Sequence, residues 1–481
     1  MSRTSRVLAA AGVLAVAVVF ALALGGVFSA SAAPNAATTT SSSTASSTPK
    51  TSEGVNANDK NLYPFGYPSG GKAIDTPAPA GEPTLAPQYT TKTTTRLYGS
   101  NPFEEAVSVT QHVWPAVVPL NNPSENNNDP DRPWGVTLVT PDDPLTAITA
   151  VPLLHFPDDA PILYVTSSGI PEITLNELKR LGDTGISRFN NVDAFLVGAA
   201  ANSGVENQLK SIGMKYVEVK GGDIPTLADN VDKLYGSIEN PDTGVPTMPG
   251  YNVMIGSLDG KDWQYLLPAT HWVAHMPTGL LWVHTDSVPG STIDALKRRG
   301  GQGNIYLFGG PDQISPKVAD QLSQYGRIVR VTNDDPVAFN APPVDSPEAT
   351  AVAFSKMWDS AGMVGWKITG PGHGFTLVNV NDWQAAVASA PLSHLGFHAP
   401  LLLTDSATTL PAGLEGYFSS VSPTFLNTPA DGPYNMTYVI GSWSQVSWDQ
   451  QARVDYISEM HNRRVVGSNT GSTYGDTSPG T

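Results

Sequence analysis

Three stretches of this sequence say nearly the same thing. DPLTAITAVPLLHFPDDAPILYVTSS begins at Asp143, DWQYLLPATHWVAHMPTGLLWVHTDS at Asp262 and DWQAAVASAPLSHLGFHAPLLLTDS at Asp382. The first two starting points lie 119 positions apart and the next two 120. A period this regular restricts the chain to repeat architectures, in which one supersecondary unit is written several times and each copy completes its core against its neighbours. With 481 residues, there is room for about three domains of ~100–200 residues.

Within each copy, short β-branched runs alternate with amphipathic stretches. The first copy reads TRLYG, GVTLVT, PILYVTS, DAFLVG and KYVEVKG, separated by segments such as PFEEAVSVTQHVW and LNELKRLG. The second supplies NVMIGS, GLLWVHT, NIYLFGG and RIVRVT, the third FTLVNV, PLLLTD, MTYVIGS and RVVG. Strands separated by helices of about ten residues imply parallel pairing and an α/β class. Strands apolar on both faces imply sheets covered by helices on both sides.

The correspondence extends to the turns. Gly198, Gly309 and Gly441 each close a strand, and Ser203, Ser315 and Ser447 follow five or six residues later. Glycine lets the chain leave a strand at a φ that other residues resist, and a serine oxygen can cap the helix that follows.

Residues 1–33 carry Arg3 and Arg6, a long apolar run and Ala30-Ser31-Ala32, the pattern of an export leader with a small-residue cleavage site. The run from Val7 to Phe28 is also long enough to be retained as a membrane anchor. Both outcomes place the rest of the chain outside the membrane. Residues 34–93 are rich in Ser, Thr, Pro, Ala and Gly and read as an extended linker, and residues 467–481 as a loose tail. The copies are expected over 94–220, 221–330 and 331–466. With no cysteine, the exported chain has no disulfides and must be stabilised by burial. A net charge of -16, with only 27 Lys plus Arg, argues against nucleic acid as a partner and against simple electrostatic capture by an anionic surface.

The strand-helix-strand phrase ending in APLLLTD and APILYVT, with the later strand closing on FGGPDQIS, resembles the cell wall binding repeat of the second type. TTRLYGSNPFEEAVSVTQ, from Thr94, resembles the opening of its first copy, an Arg-x-x-Gly phrase before a helix. The resemblance covers about Thr94 to Val466. It implies three tandem Rossmann-like repeats with mainly parallel sheets in a pseudo-threefold arrangement, acting as a non-covalent anchor on the surface of a Gram-positive-type envelope. The implied partner is a secondary cell wall polymer or another peptidoglycan-associated glycan. The chain departs from the family in two ways. Thr146, Tyr265 and Ala385 stand where the family opens its second helix with Asp-Ala-Leu, and copies two and three read VKGGD and VRVTNDD in place of Arg-x-x-Gly.

In open parallel sheets, ligands collect beyond the carboxyl ends of the strands, where helix N-termini present free N–H groups. Asp143, Asp262 and Asp382 fall at that edge, followed directly by Trp263 and Trp383 in two copies. An aromatic face beside polar groups suits a sugar. These residues, with Gly198, Gly309, Gly310 and Gly441 on neighbouring strand ends, are the candidate polymer contacts. The structural alternative makes each Asp a helix N-cap and each Trp part of the packing between copies. His155, His275 and His394 fall near the end of the same helix in each copy, where three imidazoles about an axis would suit a metal and a helix dipole would equally favour His. We assign no metal and no cofactor.

Enzyme signatures are missing. HWVAH lacks the Glu of a zinc protease, and GYPSGGKA has Ala73 where a phosphate loop needs Ser or Thr. GPGHGF precedes a strand where a dinucleotide fingerprint would follow one, and there is neither a G-x-S-x-G elbow nor a cysteine nucleophile. The repeats leave no stretch of domain size for a wall hydrolase module. Two readings stay open: a non-catalytic wall-binding surface protein, and a self-associating surface-layer or matrix subunit.

Overall fold

The structure is a computed structural model that describes residues 90–117, 131–183, 185–242, 244–245, 251–331, 346–395, 398–424 and 433–460. By its contacts the chain divides into Met1–Asn56 and Ala57–Thr481, and every described residue belongs to the second part. The leader or anchor, nearly all of the 34–93 linker, the RVVG run and the tail lie outside the described residues. Among those described, no helix is long and apolar enough to cross a membrane.

Among the described residues, twelve strands form three four-stranded sheets. The strands are β1 (Thr94–Leu97), β2 (Val136–Val139), β3 (Ile162–Tyr164), β4 (Ala194–Val197), β5 (Tyr216–Val219), β6 (Val253–Ser257), β7 (Gly279–Val283), β8 (Asn304–Phe308), β9 (Arg327–Val331), β10 (Gly374–Asn379), β11 (Leu401–Thr404) and β12 (Met436–Ile440). The sheet orders are β3-β2-β4-β5, β7-β6-β8-β9 and β11-β10-β12-β1. Every pairing is parallel. Apart from Met436 at the start of β12, the central strands are buried along their length, as the continuous apolar runs require, and helices cover both faces. In β11, Leu401 and Leu403 enter the large core that runs through all three copies, while Leu402 faces a second core with Phe375, Tyr417 and Phe418.

The third sheet departs from expectation. Its fourth strand is β1, which the sequence order assigns to the first copy. Thr94 pairs with Thr437 and Leu97 with Ile440. β1 occupies beside β12 the place that β5 takes beside β4 and β9 beside β8. The span 94–220 therefore completes the sheet of the last copy with its opening strand, and the three copies close on themselves.

The copies meet through equivalent helical segments, Pro144–Ala150 with the turn Val151–Leu154, Leu267–His275, and Trp383–Ala388 with the turn Ala390–Ser393, which pack on one another. The polar contacts between copies run cyclically. Tyr164 of the first copy donates to Gln384 O of the third at 2.8 Å, and Trp282 of the second donates to Thr149 Oγ1 of the first at 2.7 Å. The His271 ring of the second copy is within 2.6 Å of Ser393 Oγ and 3.2 Å of Ala386 O, both in the third. This is an α/β fold of three Rossmann-like copies about a pseudo-threefold axis.

Candidate functional site at the strand ends and the axis

Gly198, Gly309 and Gly441 follow β4, β8 and β12, with φ of +63°, +114° and +110°. A side chain is also resisted by space, because a Cβ on Gly198 would come within 2.7 Å of Thr146 and one on Gly441 within 3.1 Å of Asp382 Oδ2. The turn after the glycine is built alike in copies two and three. Gly310 N donates to Gln313 Oε1 at 2.9 Å, and Ser442 N donates to Gln445 Oε1 at 2.7 Å. An arginine from the edge strand fixes the same turn. Arg330 donates to Gly309 O and Ile314 O at 2.7 and 2.8 Å, and Arg96 donates to Gly441 O and Val446 O at 2.8 and 2.7 Å.

This explains the Arg-x-x-Gly phrase. Its Arg secures the turn of the neighbouring strand, and its Gly admits the next helix, since a Cβ on Gly99 would lie 2.2 Å from Glu105 N and one on Gly221 would lie 2.3 Å from Leu227 N. Copies two and three do not lack the phrase so much as split it. Gly221 keeps the glycine in VKGGD, and Arg330 keeps the arginine in VRVTNDD.

The three aspartates divide. Asp143 caps its helix through Leu145 N at 3.0 Å and accepts from Thr146 Oγ1 at 2.6 Å, and Asp382 caps through Ala385 N at 3.3 Å. Asp262 caps nothing: it opens the turn Asp262–Leu266, and its carboxylate accepts from Ser257 Oγ at 3.3 Å. In that copy the neighbouring Asp259 accepts from Thr285 N at 2.9 Å and meets His284 Nδ1 at 2.7 Å. The serine caps hold for Ser315 and Ser447, whereas Asn202 caps in the first copy and Ser203 is already helical.

The two tryptophans divide as well. Trp263 is 9% exposed and packs into the core. Trp383 is half-buried, edge-to-face with Tyr164 at 6.3 Å. Sequence reasoning missed Trp443, which lies over the Arg96 guanidinium at 3.8 Å beside the Gly441 turn. At the same edge in the first copy, Thr146, Gly198, Lys220 and Asp223 line a groove of about 380 Å³.

Burial pushes the Asp382 carboxyl up to about 6 and, with the Asp382 and Glu104 charges, holds Glu105 well above the usual carboxylate range. Burial and the Asp193 charge push Asp183 up to about 8. Each of these groups takes up its proton more readily folded than unfolded. Its stabilising contribution is complete below about pH 4 and is lost as pH rises through its folded value. Between pH 7.5 and 8.5 histidines, whose unfolded value is about 6.5, are neutral in the unfolded chain as well as in the buried positions, so the carboxyls dominate. The thermal midpoint should therefore fall across that interval, and Asp183→Asn should flatten the fall. A midpoint that rises from pH 7.5 to 8.5 in circular dichroism melts would refute the burial of these groups.

At the axis, His155, His275 and His394 do converge. Ring centroids lie 5.0 Å apart for His155 and His394 and 6.2 Å for His275 and His394. His155 Nδ1 is 2.7 Å from the Tyr235 hydroxyl, and His394 Nε2 is 2.9 Å from Asp159 Oδ1. Burial, aided by neighbouring imidazoles, pushes His155 and His275 down to about 3. These two rings are thus neutral at physiological pH, and a charge-dipole interaction at the helix ends does not account for them. Among the described residues, no three His, Cys, Asp or Glu side chains are arranged to hold a metal ion.

No family model matches the chain, and no curated protein matches it either. Among solved structures it is similar to Cwp6 from Clostridium difficile, with a TM-score of 0.57 and 19% identity over 82% of this chain and 52% of that one. It is also similar to Cwp8 from Clostridium difficile, with a TM-score of 0.54 and 15% identity over 76% of this chain and 52% of that one. The chain thus spans about half the length of each. What the likeness establishes is the fold, three closed α/β copies shared with two clostridial proteins of much greater length.

Proposed function

We propose that this is a non-catalytic, secreted surface protein that associates with the cell wall and holds a secondary wall polymer through its three repeats, taken as 94–220, 221–330 and 331–466. The observation that carries the reading is the closed set of three sheets of one strand order, the fold of two clostridial cell wall proteins. The polymer would meet the strand ends around Asp143, Asp262 and Asp382 and the glycine turns, with aromatic surface from Trp383. Trp263 contributes through packing.

An acidic chain of net charge -16 repels an anionic polymer at long range, so attachment has to come from short-range contacts. The test is sedimentation of the leaderless chain with wall sacculi before and after acid stripping of secondary polymers. Binding should disappear on stripping, and should hold or strengthen as salt is raised, because screening within ~8–10 Å removes the repulsion. Equal sedimentation with stripped sacculi would overturn the polymer as partner, and a steep loss with salt would assign capture to a basic patch.

A further inference from the structure

A cavity lies at the opposite edge of the third sheet from the strand-end candidates. It has a volume of about 680 Å³ and sits between the helix Leu267–His275 of the second copy and the starts of β10 and β12. Its walls are aromatic. Trp272, Trp358, Trp366 and Tyr434 line it, with Trp272 and Trp366 edge-to-face at 5.3 Å. Trp358 and Tyr434 stand 45% and 56% exposed at the rim, among the few large hydrophobic side chains that the described residues leave in water.

Three imidazoles, His275, His373 and His398, share the lining, and His275 Nδ1 faces His398 Nδ1 at 3.4 Å. Burial lowers the affinity of His275 and His373 for a proton, so these rings offer neutral donors and acceptors. Among the described residues, no carboxylate lines the cavity. The backbone around it is forced into unusual conformations. Met363, Lys367 and His398 all have φ between +51° and +57°, in a region that residues with a Cβ avoid. Side chains held this way concentrate where a ligand is clamped.

We propose that this pocket binds an uncharged hexopyranose ring of a glycan. Aromatic faces take the CH face of the sugar, and neutral imidazoles pair with its hydroxyls. A quaternary ammonium would want the same aromatic walls, but it would have no use for three imidazoles, and the described lining offers no carboxylate to balance its charge. The inference deepens the wall-association reading and rests on it for the source of the sugar.

The test uses intrinsic tryptophan fluorescence of the leaderless chain, titrated with chitotetraose and with the neutral saccharide fraction released from sacculi by mild acid. Choline is titrated in parallel. A saturable change with either saccharide is expected, with the dissociation constant at least tenfold higher in Trp358→Ala/Tyr434→Ala, whose rim positions leave the fold intact by circular dichroism. Should that variant unfold, Tyr434→Ala alone is compared. A response to choline alone, or to none of the three probes, overturns the proposal. Sacculus sedimentation separates the two ideas. If the wild type sediments with sacculi but binds no saccharide, the pocket fails and wall association stands. If it binds saccharide but not sacculi, the reverse holds.

Discussion

Arg96→Ala should destabilise the protein by about 3 kcal/mol or more, because several buried carbonyls lose a charged donor at once. Arg96 is 3% exposed, and besides Gly441 O and Val446 O it reaches Ser442 O at 3.3 Å and Gln451 Oε1 at 3.0 Å. Lysine cannot replace it, since a single ammonium lacks the planar fork that serves these acceptors together. The half-buried Arg330 in the second copy holds two equivalent carbonyls, so Arg330→Ala should cost less. Urea melts of the two variants check the order. Equal losses would mean that closure of the third sheet by β1 carries no special weight.

Asp232→Ala should cost about 3–5 kcal/mol, the usual effect of removing one partner from a buried ion pair. Asp232 is 5% exposed, on the helix Ile224–Glu239. It accepts from Arg299 Nη1 and Nη2 at 2.9 and 2.5 Å and from Arg298 Nη2 at 2.6 Å. Burial alone would raise its proton affinity, but the two guanidiniums prevail and hold it below the usual carboxylate range. Gly279 is needed here, since a Cβ would lie 2.4 Å from Arg299 Nη2. Replacing Asp232 and Arg299 together by Leu and Met should recover most of the loss, because an apolar pair leaves no stranded charge. If the double variant is no better than Asp232→Ala in denaturant melts, the loss comes from packing and the charge explanation fails.

Much of this architecture was legible in the sequence because it rests on local chemistry. The apolar strands and the positive φ of the glycines at 198, 309 and 441 each reflect a constraint within a few residues, and the period repeats those local signals three times. The pairing of β1 with β12 was hidden, since parallel neighbours leave no turn between them and nothing in TRLYG names its partner. The split Arg-x-x-Gly phrase was hidden for the same reason: Arg96 and Gly99 serve different neighbours, and a copy can keep one without the other. At the candidate site, the sequence placed Trp263 and Trp383 alike, yet one is core and the other half-buried, because the second copy enters its helix through the turn Asp262–Leu266. The aromatic pocket draws on segments around Trp272, Trp366, His398 and Tyr434, which no period or motif connects.

Closure by β1 also changes how the copies share stability. A linear array of repeats has two terminal units with one neighbour each, and these fray first unless special caps cover them. Here the first described segment and the last meet: Thr93 N donates to Asp455 Oδ1 at 2.8 Å, and Lys92 pairs with Glu459. No copy is terminal, so no cap is needed and the three are expected to melt together.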